Sequence, residues 1–416
     1  MSPMMHLASF AGLPPELQVM IVSLLDDAQD LHSCTLVSRD WHNVFNPILW
    51  KAIKSYRVSR RTRRDADEIS TFVRSAAATG SLKKYGHHIR TLKIECMDED
   101  FQLFHTVAPR KFSLLHSIEL MGHVSSDDLI ADLLWRCSRR RGGVGLQRVV
   151  FDLDDCGYDG SLFAFGKKSV RALKEHFSTL EVFCVEAPEF SSKEIQELLC
   201  ATPRLRVFNI LSKDRKQPIK FCKWLDASDV VHQDWSCTSL RVFGCLIGGI
   251  PRSDIERELH DGPTNYHVLK GDHQKSIALQ KRVYSQIARL THLQELRMGI
   301  PYDTEHLNYR RHDKESERQY DCLAMSLDSG LDLLGGLESL EVVALEDMEV
   351  GIDDENEQRW VELHWPRVQV FTTDFGTDRD DDSQLSDFYD GHSDEESEYY
   401  FEDYYYDEDE YDQGDF

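Results

Sequence analysis

Apolar residues recur along this chain with two different periods. One short theme returns through most of its length: IRTLKI from Ile89, LHSIEL from Leu115, LQRVVF from Leu146, LEVFCV from Leu180, LRVFNI from Leu205, LRVFGC from Leu240, LQELRM from Leu293 and LESLEV from Leu337. Each fits apolar-x-x-apolar-x-apolar, which marks a strand with one buried face. Between these strands lie stretches with helical spacing: SSDDLIADLLWRC from Ser125, KKSVRALKEHF from Lys167, SSKEIQELLC from Ser191, KSIALQKRVYSQIARL from Lys275 and SGLDLLGGL from Ser329. Ser191 and Glu194 have the spacing of a capping box. A strand followed by a helix, repeated about eight or nine times, cannot bury its apolar edge alone and must stack on its neighbours. The theme's starts lie 25 residues apart at the closest and 53 at the widest, so the stacking is expected to be irregular. Val150, Val182, Val207, Leu211, Val242 and Leu246 flank the repeated positions and are themselves apolar. They are expected to form an exposed stripe and a candidate target-binding surface.

The region before Trp50 keeps helical spacing only. Pro14 and Pro15 sit where a first turn tolerates missing amides, and Leu17, Met20, Ile21, Leu24 and Leu25 follow at intervals of three and four. This helix should stop near Asp26 and Asp27. A second should run from Ala28 to about Val37, carrying Leu31, Cys34 and Leu36, and a third should start at Ser38, a good N-cap residue. Pro47 should break the third before Trp50. Three helices this short bury little by themselves and are expected to complete their core on something else.

Taken in order, Leu13-Pro14-x-Glu16-Leu17, Ile21-x-x-Leu24, Asp30-Leu31, Leu36-Val37-Ser38-x-x-Trp41 and Leu49-Trp50 resemble an F-box. The strand–helix theme is similar to leucine-rich repeats in the irregular form that follows fungal-type F-boxes, although no Asn or Cys ladder follows the strands. Together these resemblances imply an α/β chain with a three-helix F-box at 13–55 and a basic helical linker or cap at 56–84. A leucine-rich-repeat-like solenoid would follow at 85–375, then a disordered acidic tail at 376–416. In the F-box family the helices dock on a Skp-type adaptor, which links them to a cullin ubiquitin ligase. The resemblance therefore implies that Leu13, Pro14, Leu17, Ile21, Leu31, Val37 and Trp41 serve the adaptor interface or shape the helices that form it. Trp50 would pack toward the following domain. The implied function is a non-enzymatic substrate receptor of such a ligase, with the repeats binding an unknown protein target. Two other readings stay open: a helical cap that merely closes the next domain, and a scaffold without any ligase whose repeats and tail bind partner proteins.

Charge refines this picture locally. The 416 residues carry 48 Lys and Arg against 73 Asp and Glu, a formal charge of -25 that argues against general attraction to nucleic acid or anionic lipid. From Asp374 to Phe416 there are 19 acidic residues and one basic, so the remainder is close to balanced. From Asp387 onward this tyrosine-rich tail lacks aliphatic residues, and it is expected to be disordered. It is either a solubilising segment or a strip for a basic partner. RRTRR at 60–64 is either a basic helix face or a nuclear address. Ten scattered cysteines without paired spacing suit a reducing compartment. No leader pattern precedes Pro14, and no apolar run approaches the roughly 18 residues of a spanning helix. A cytoplasmic or nuclear protein, with no membrane or nucleic-acid partner, is expected.

Catalytic and ligand motifs fail on detail. GSLFAFGKKS, from Gly160, misses the phosphate-loop spacing by one residue and interposes a second Lys. DLDDCGYDGSLF, from Asp152, puts Cys156 and Phe163 where a calcium loop needs oxygens. The histidines, including His87, His88, His260, His267 and His273, have no zinc spacing. No cofactor or metal is expected.

Overall fold

The computed structural model describes residues 10–371 apart from 26, 55–74, 76–77, 97, 123, 125, 153–164, 186–189, 212–223, 251–272, 299–322 and 345–354. Residues Met1–Thr373 make one unit and Asp374–Phe416 another. The second unit, which holds the acidic tail, lies outside the described residues, as do RRTRR and the calcium-loop candidate beyond Asp152.

A 3-10 turn at Phe10–Gly12 leads into α1 (Pro15–Ser23), α2 (Ala28–Thr35) and α3 (Arg39–Leu49). Pro15 opens α1, Asp27 caps α2 by accepting from the Gln29 amide at 2.6 Å, and Ser38 caps α3 by accepting from the Trp41 amide at 3.2 Å. Pro47 does not break α3, which continues to Leu49. A proline so near a helix end removes one hydrogen bond from the last turn, and the Trp50 amide still closes that turn on the Asn46 carbonyl at 3.1 Å.

The chain then enters a sheet directly. The strands β1 (Ala52–Lys54), β2 (Thr91–Cys96), β3 (Ser117–Gly122), β4 (Arg148–Asp152), β5 (Val182–Val185) and β6 (Val207–Asn209) follow in order. Preceding β2 is α4 (Ser81–Tyr85), and α5 (Asp98–Val107), α6 (Asp127–Arg136), α7 (Lys167–Leu173) and α8 (Ser192–Ala201) alternate with the strands. Next come β7 (Trp224–Asp226), α9 (Ala227–Val230), β8 (Val242–Gly244), β9 (Leu246–Gly248), α10 (His273–Ala288) and β10 (Glu295–Arg297). A 3-10 helix at Leu331–Gly336, β11 (Val342–Ala344), α11 (Glu355–His364) and β12 (Gln369–Phe371) complete the described elements. Ten strands form one parallel sheet ordered β1-β2-β3-β4-β5-β6-β8-β10-β11-β12, while β7 and β9 pair separately. The fold is thus mixed α/β, with helical connections between parallel strands.

In every theme but the last, the leading Leu or Ile lies two residues ahead of its strand, and the intervening residue makes the junction. There a single carbonyl accepts two amides of the next strand. The Gln147 carbonyl takes the Glu181 and Val182 amides at 2.7 and 2.9 Å, Glu181 takes Arg206 and Val207 at 2.7 and 3.1 Å, and Arg206 takes Arg241 and Val242 at 2.7 and 3.1 Å. Leu92, Ile118, Val149, Phe183, Phe208, Phe243, Leu296 and Val343 stand in register across the sheet and are fully buried. Phe183 stacks on Phe208 at 6.1 Å between centroids, and Phe208 lies 6.0 Å from Phe243.

This register corrects the final theme. The strand expected from Leu337 is β11, led instead by Leu340. Leu337 caps the preceding 3-10 helix, and both leucines are buried.

Two side chains bind successive helices together. The Asp127 carboxylate, at the start of α6, accepts from the Gly166, Lys168 and Ser169 amides at 3.0, 2.9 and 2.9 Å, which are orphan donors at the start of α7. His176, just after α7, is fully buried; its Nδ1 accepts from the Leu146 amide at 3.0 Å, leaving Nε2 to donate to the Leu134 carbonyl at 3.0 Å. Burial pushes its pKa down to about 4 against a backbone bond that favours the charged form.

Candidate functional site

The amino-terminal helices close a small core of their own around Phe10, Val22, Leu31 and Phe45, with Leu13, Leu25, Cys34, Trp41, Val44, Ile48 and Leu49 packed against it. Trp41 stacks on Phe45 at 5.2 Å and lies 4.9 Å from Phe10, so three rings fill the centre. Gln18 in α1 donates to the Leu13 and Phe10 carbonyls at 2.9 and 3.3 Å, which pins the 3-10 turn to the helix.

That core uses only one side of α1. At 100° per residue, Val22 and Leu25 fall on the core side, and Leu17, Met20, Ile21 and Leu24 fall on an adjacent stripe. All four of the latter are exposed, Leu24 at 81%. The turn after α2 adds Leu36 at 72% and Val37 at 63%. Six large apolar side chains facing solvent within about two helical turns and one loop are what a docking surface looks like. Helix α1 is therefore apolar on two sides, one for its own core and one for something else.

The residues proposed from sequence divide accordingly. Leu17 and Ile21 are exposed on the α1 stripe, Val37 is exposed in the turn after α2, and Pro14 is exposed as the N-cap of α1. Leu13 and Trp41 are half-buried against the core, and Leu31 is part of it. Met20, Leu24 and Leu36 complete the exposed set. Their spacing was available in the sequence, but spacing alone does not say which of two apolar sides faces inward.

The expected stripe on the sheet changes more. Val182, Val207 and Val242 pair across β5, β6 and β8 and are half-buried in one row. Val150 is not in that row, because Arg148 is the residue paired with Val182 and Val150 pairs with Cys184. Val150 is buried, as are Leu211 at 4% and Leu246 at 3%. Leu246 belongs to β9, which pairs with β7 outside the main sheet. The six residues expected to form an exposed stripe therefore reduce to three.

Gly166, Lys168 and Ser169, the described part of the phosphate-loop candidate, already spend their amides on Asp127, whose carboxylate stands where an anion would sit. Burial pushes the Cys237 thiol up to about 12, and Cys137 is also raised by burial, as suits inert core thiols. Among the described residues no group of three or more His, Cys, Asp or Glu side chains could hold a metal ion. No described helix is long and apolar enough to cross a membrane.

The α1 surface ends where the sheet begins. Trp50 packs on the main core and lies 5.5 Å from the Tyr85 ring, and the Lys51 carbonyl accepts the Arg90 and Thr91 amides at 2.8 and 3.2 Å. Trp41 and Trp50 thus serve different cores. No curated protein matches the chain. Among solved structures, a leucine-rich-repeat protein of Leptospira interrogans aligns at 12% identity over 70% of this chain and 74% of its own, with a TM-score of 0.21, a value that carries no argument. Residues 10–54 match the F-box-like family model, and those bounds enclose both the small core and β1. The amino-terminal region that presents the α1 stripe is an F-box-like domain.

Proposed function

We propose that this chain is a substrate receptor of a cullin-based ubiquitin ligase. The F-box-like domain docks its α1 stripe on a Skp-type adaptor, and the sheet-bearing body, acting as a leucine-rich-repeat solenoid, holds a protein target. The chain performs no chemistry itself. Its contribution is proximity, keeping a lysine of the target near a ubiquitin-charged enzyme carried by other subunits. Such a role belongs in the cytoplasm or nucleus. The observation that carries the reading is the exposed row Leu17, Met20, Ile21 and Leu24, an apolar surface that its own core leaves uncovered, inside a region matching the F-box-like model.

The test is titration of purified full-length chain with a Skp-type adaptor by calorimetry. Leu17→Ala combined with Ile21→Ala should weaken binding by roughly a hundredfold or more, since central apolar anchors each contribute about 1–2 kcal/mol or more at such surfaces. Both side chains are exposed, so the melting temperature should hold. Leu363→Ala, a more exposed leucine on α11, should leave binding unchanged. Undiminished affinity in the folded double variant removes the adaptor assignment and leaves the scaffold reading.

A further inference from the structure

The three remaining valines have a distinctive border. Val182, Val207 and Val242 lie side by side on adjacent strands and span two strand spacings, about 10 Å, or roughly three residues of extended peptide. Immediately before Val207 and Val242 come Arg206 and Arg241, neighbours across the sheet because the Arg241 amide donates to the Arg206 carbonyl at 2.7 Å. Both arginines are exposed, and neither has an ion pair among the described residues, although Glu181 precedes them in the same row. Glu295, paired with Val242 on the next strand of the row, is already taken by Arg297 at 2.8 Å, and farther out Glu119 is taken by Lys93 and Arg148.

The opposite border is polar and neutral. Asn209 is two residues beyond Val207, and its Oδ1 accepts from the Leu211 amide at 3.2 Å. That bond orients the carboxamide and leaves its NH2 group without a protein acceptor among the described residues. The side chain lies over Gly244, where an added Cβ would collide with it, so the glycine makes room for the amide. A shallow apolar floor, two guanidinium groups along one side without an ion pair among the described residues and an amide donor on the other leave two positive charges beside the single carboxylate of Glu181. This occurs on a chain whose formal charge is -25.

We infer that this part of the sheet binds an extended acidic segment of a partner protein. A small aliphatic side chain of the segment rests on the valines. Its flanking carboxylates take Arg206 and Arg241, whose planar forks suit bidentate carboxylate contacts, and a backbone carbonyl accepts from Asn209. The inference deepens the target-binding half of the proposed function and rests on it. It does not depend on the α1 stripe.

The probe is a phage-displayed library of random dodecapeptides, selected on the immobilised full-length chain at low and at physiological salt. Enriched peptides should carry carboxylates on both sides of a Val, Ile or Leu, and raising the salt should weaken them because exposed charge pairs are screened. Individual enriched peptides, measured by fluorescence anisotropy, should lose roughly tenfold or more in affinity for Arg206→Glu and for Arg241→Glu. Val207→Thr, which keeps shape and strand preference while adding a hydroxyl, should also weaken them. Circular dichroism melts confirm that each variant is folded. Neutral or basic consensus peptides, absence of enrichment, or enrichment that survives Arg206→Glu with Arg241→Glu overturns the inference. Adaptor titration of the same variants separates the two proposals. Intact adaptor binding without acidic peptides sinks only this surface, and acidic peptides without adaptor binding sink only the ligase role.

Discussion

His176 shows how one side chain ties a helix to the start of a strand and makes the stability of that junction depend on pH. Its ring is fully buried, with one nitrogen accepting from the Leu146 amide just ahead of β4 and the other donating to Leu134 in α6. Protonation at Nδ1 would replace an acceptor with a donor aimed at another donor. The folded-state pKa of about 4 lies below the usual 6.5, so the unfolded chain binds the proton first. The contribution is therefore complete above pH 6.5 and is lost as pH falls toward 4. Between pH 7 and pH 5 it amounts to about 2 kcal/mol. Urea unfolding at those two pH values should show that loss for the native chain and a smaller loss for His176→Leu, which should be less stable at pH 7 because two backbone groups lose their partner. An identical pH dependence in both proteins would place the titration elsewhere.

Among the elements, the helix starts are the informative places. Asp127 caps α7 from the first turn of α6, so one carboxylate serves two successive helices. Asp127→Ala should cost about 2–3 kcal/mol in chemical denaturation, and Asp127→Asn roughly half of that, because an amide oxygen still accepts while the charge is gone. Equal losses would mean that charge contributes nothing there. The capping box at Ser191 and Glu194 is present as the sequence suggested, with the Ser191 amide donating to the Glu194 carboxylate at 2.9 Å. Local signals of this kind were legible: the strands led by Ile89, Leu115, Leu146, Leu180, Leu205, Leu240 and Leu293 fall where the alternation put them. Non-local ones were not. β1 and β12 are three residues each and acquire strand identity only by pairing with β2 and β11. Pro47 looked like a terminator because its tolerance depends on how few residues follow. Of the candidate sites, the apolar spacing of α1 was legible, though not which of its two apolar sides faces outward. The burial of Val150, Leu211 and Leu246 could not, because it depends on register and on a second sheet that no periodicity announces.

At the scale of the molecule, the F-box-like region and the sheet share a strand rather than a linker. Trp50 packs on the main core, and the carbonyl of Lys51 anchors β2 through two amides. Trp50→Ala should therefore speed hydrogen exchange at Arg90 and Thr91 by loosening the first junction. Val207 and Val242, several strands away, should keep their protection if the strands open locally rather than as one unit. Uniform loss of protection along the whole sheet would instead indicate one cooperative block.

Strands that follow one another in order, beginning inside the F-box-like region, also turn the sheet into a measuring rod. Each additional strand advances any feature by one strand spacing of about 4.8 Å, so the valine row begins about 19 Å along from β1. Under the proposed function, removing one strand with its helical connection between β1 and β5 would bring a bound target closer to the adaptor by that one increment without altering either surface. The choice of which lysine is modified would then be a matter of counting strands.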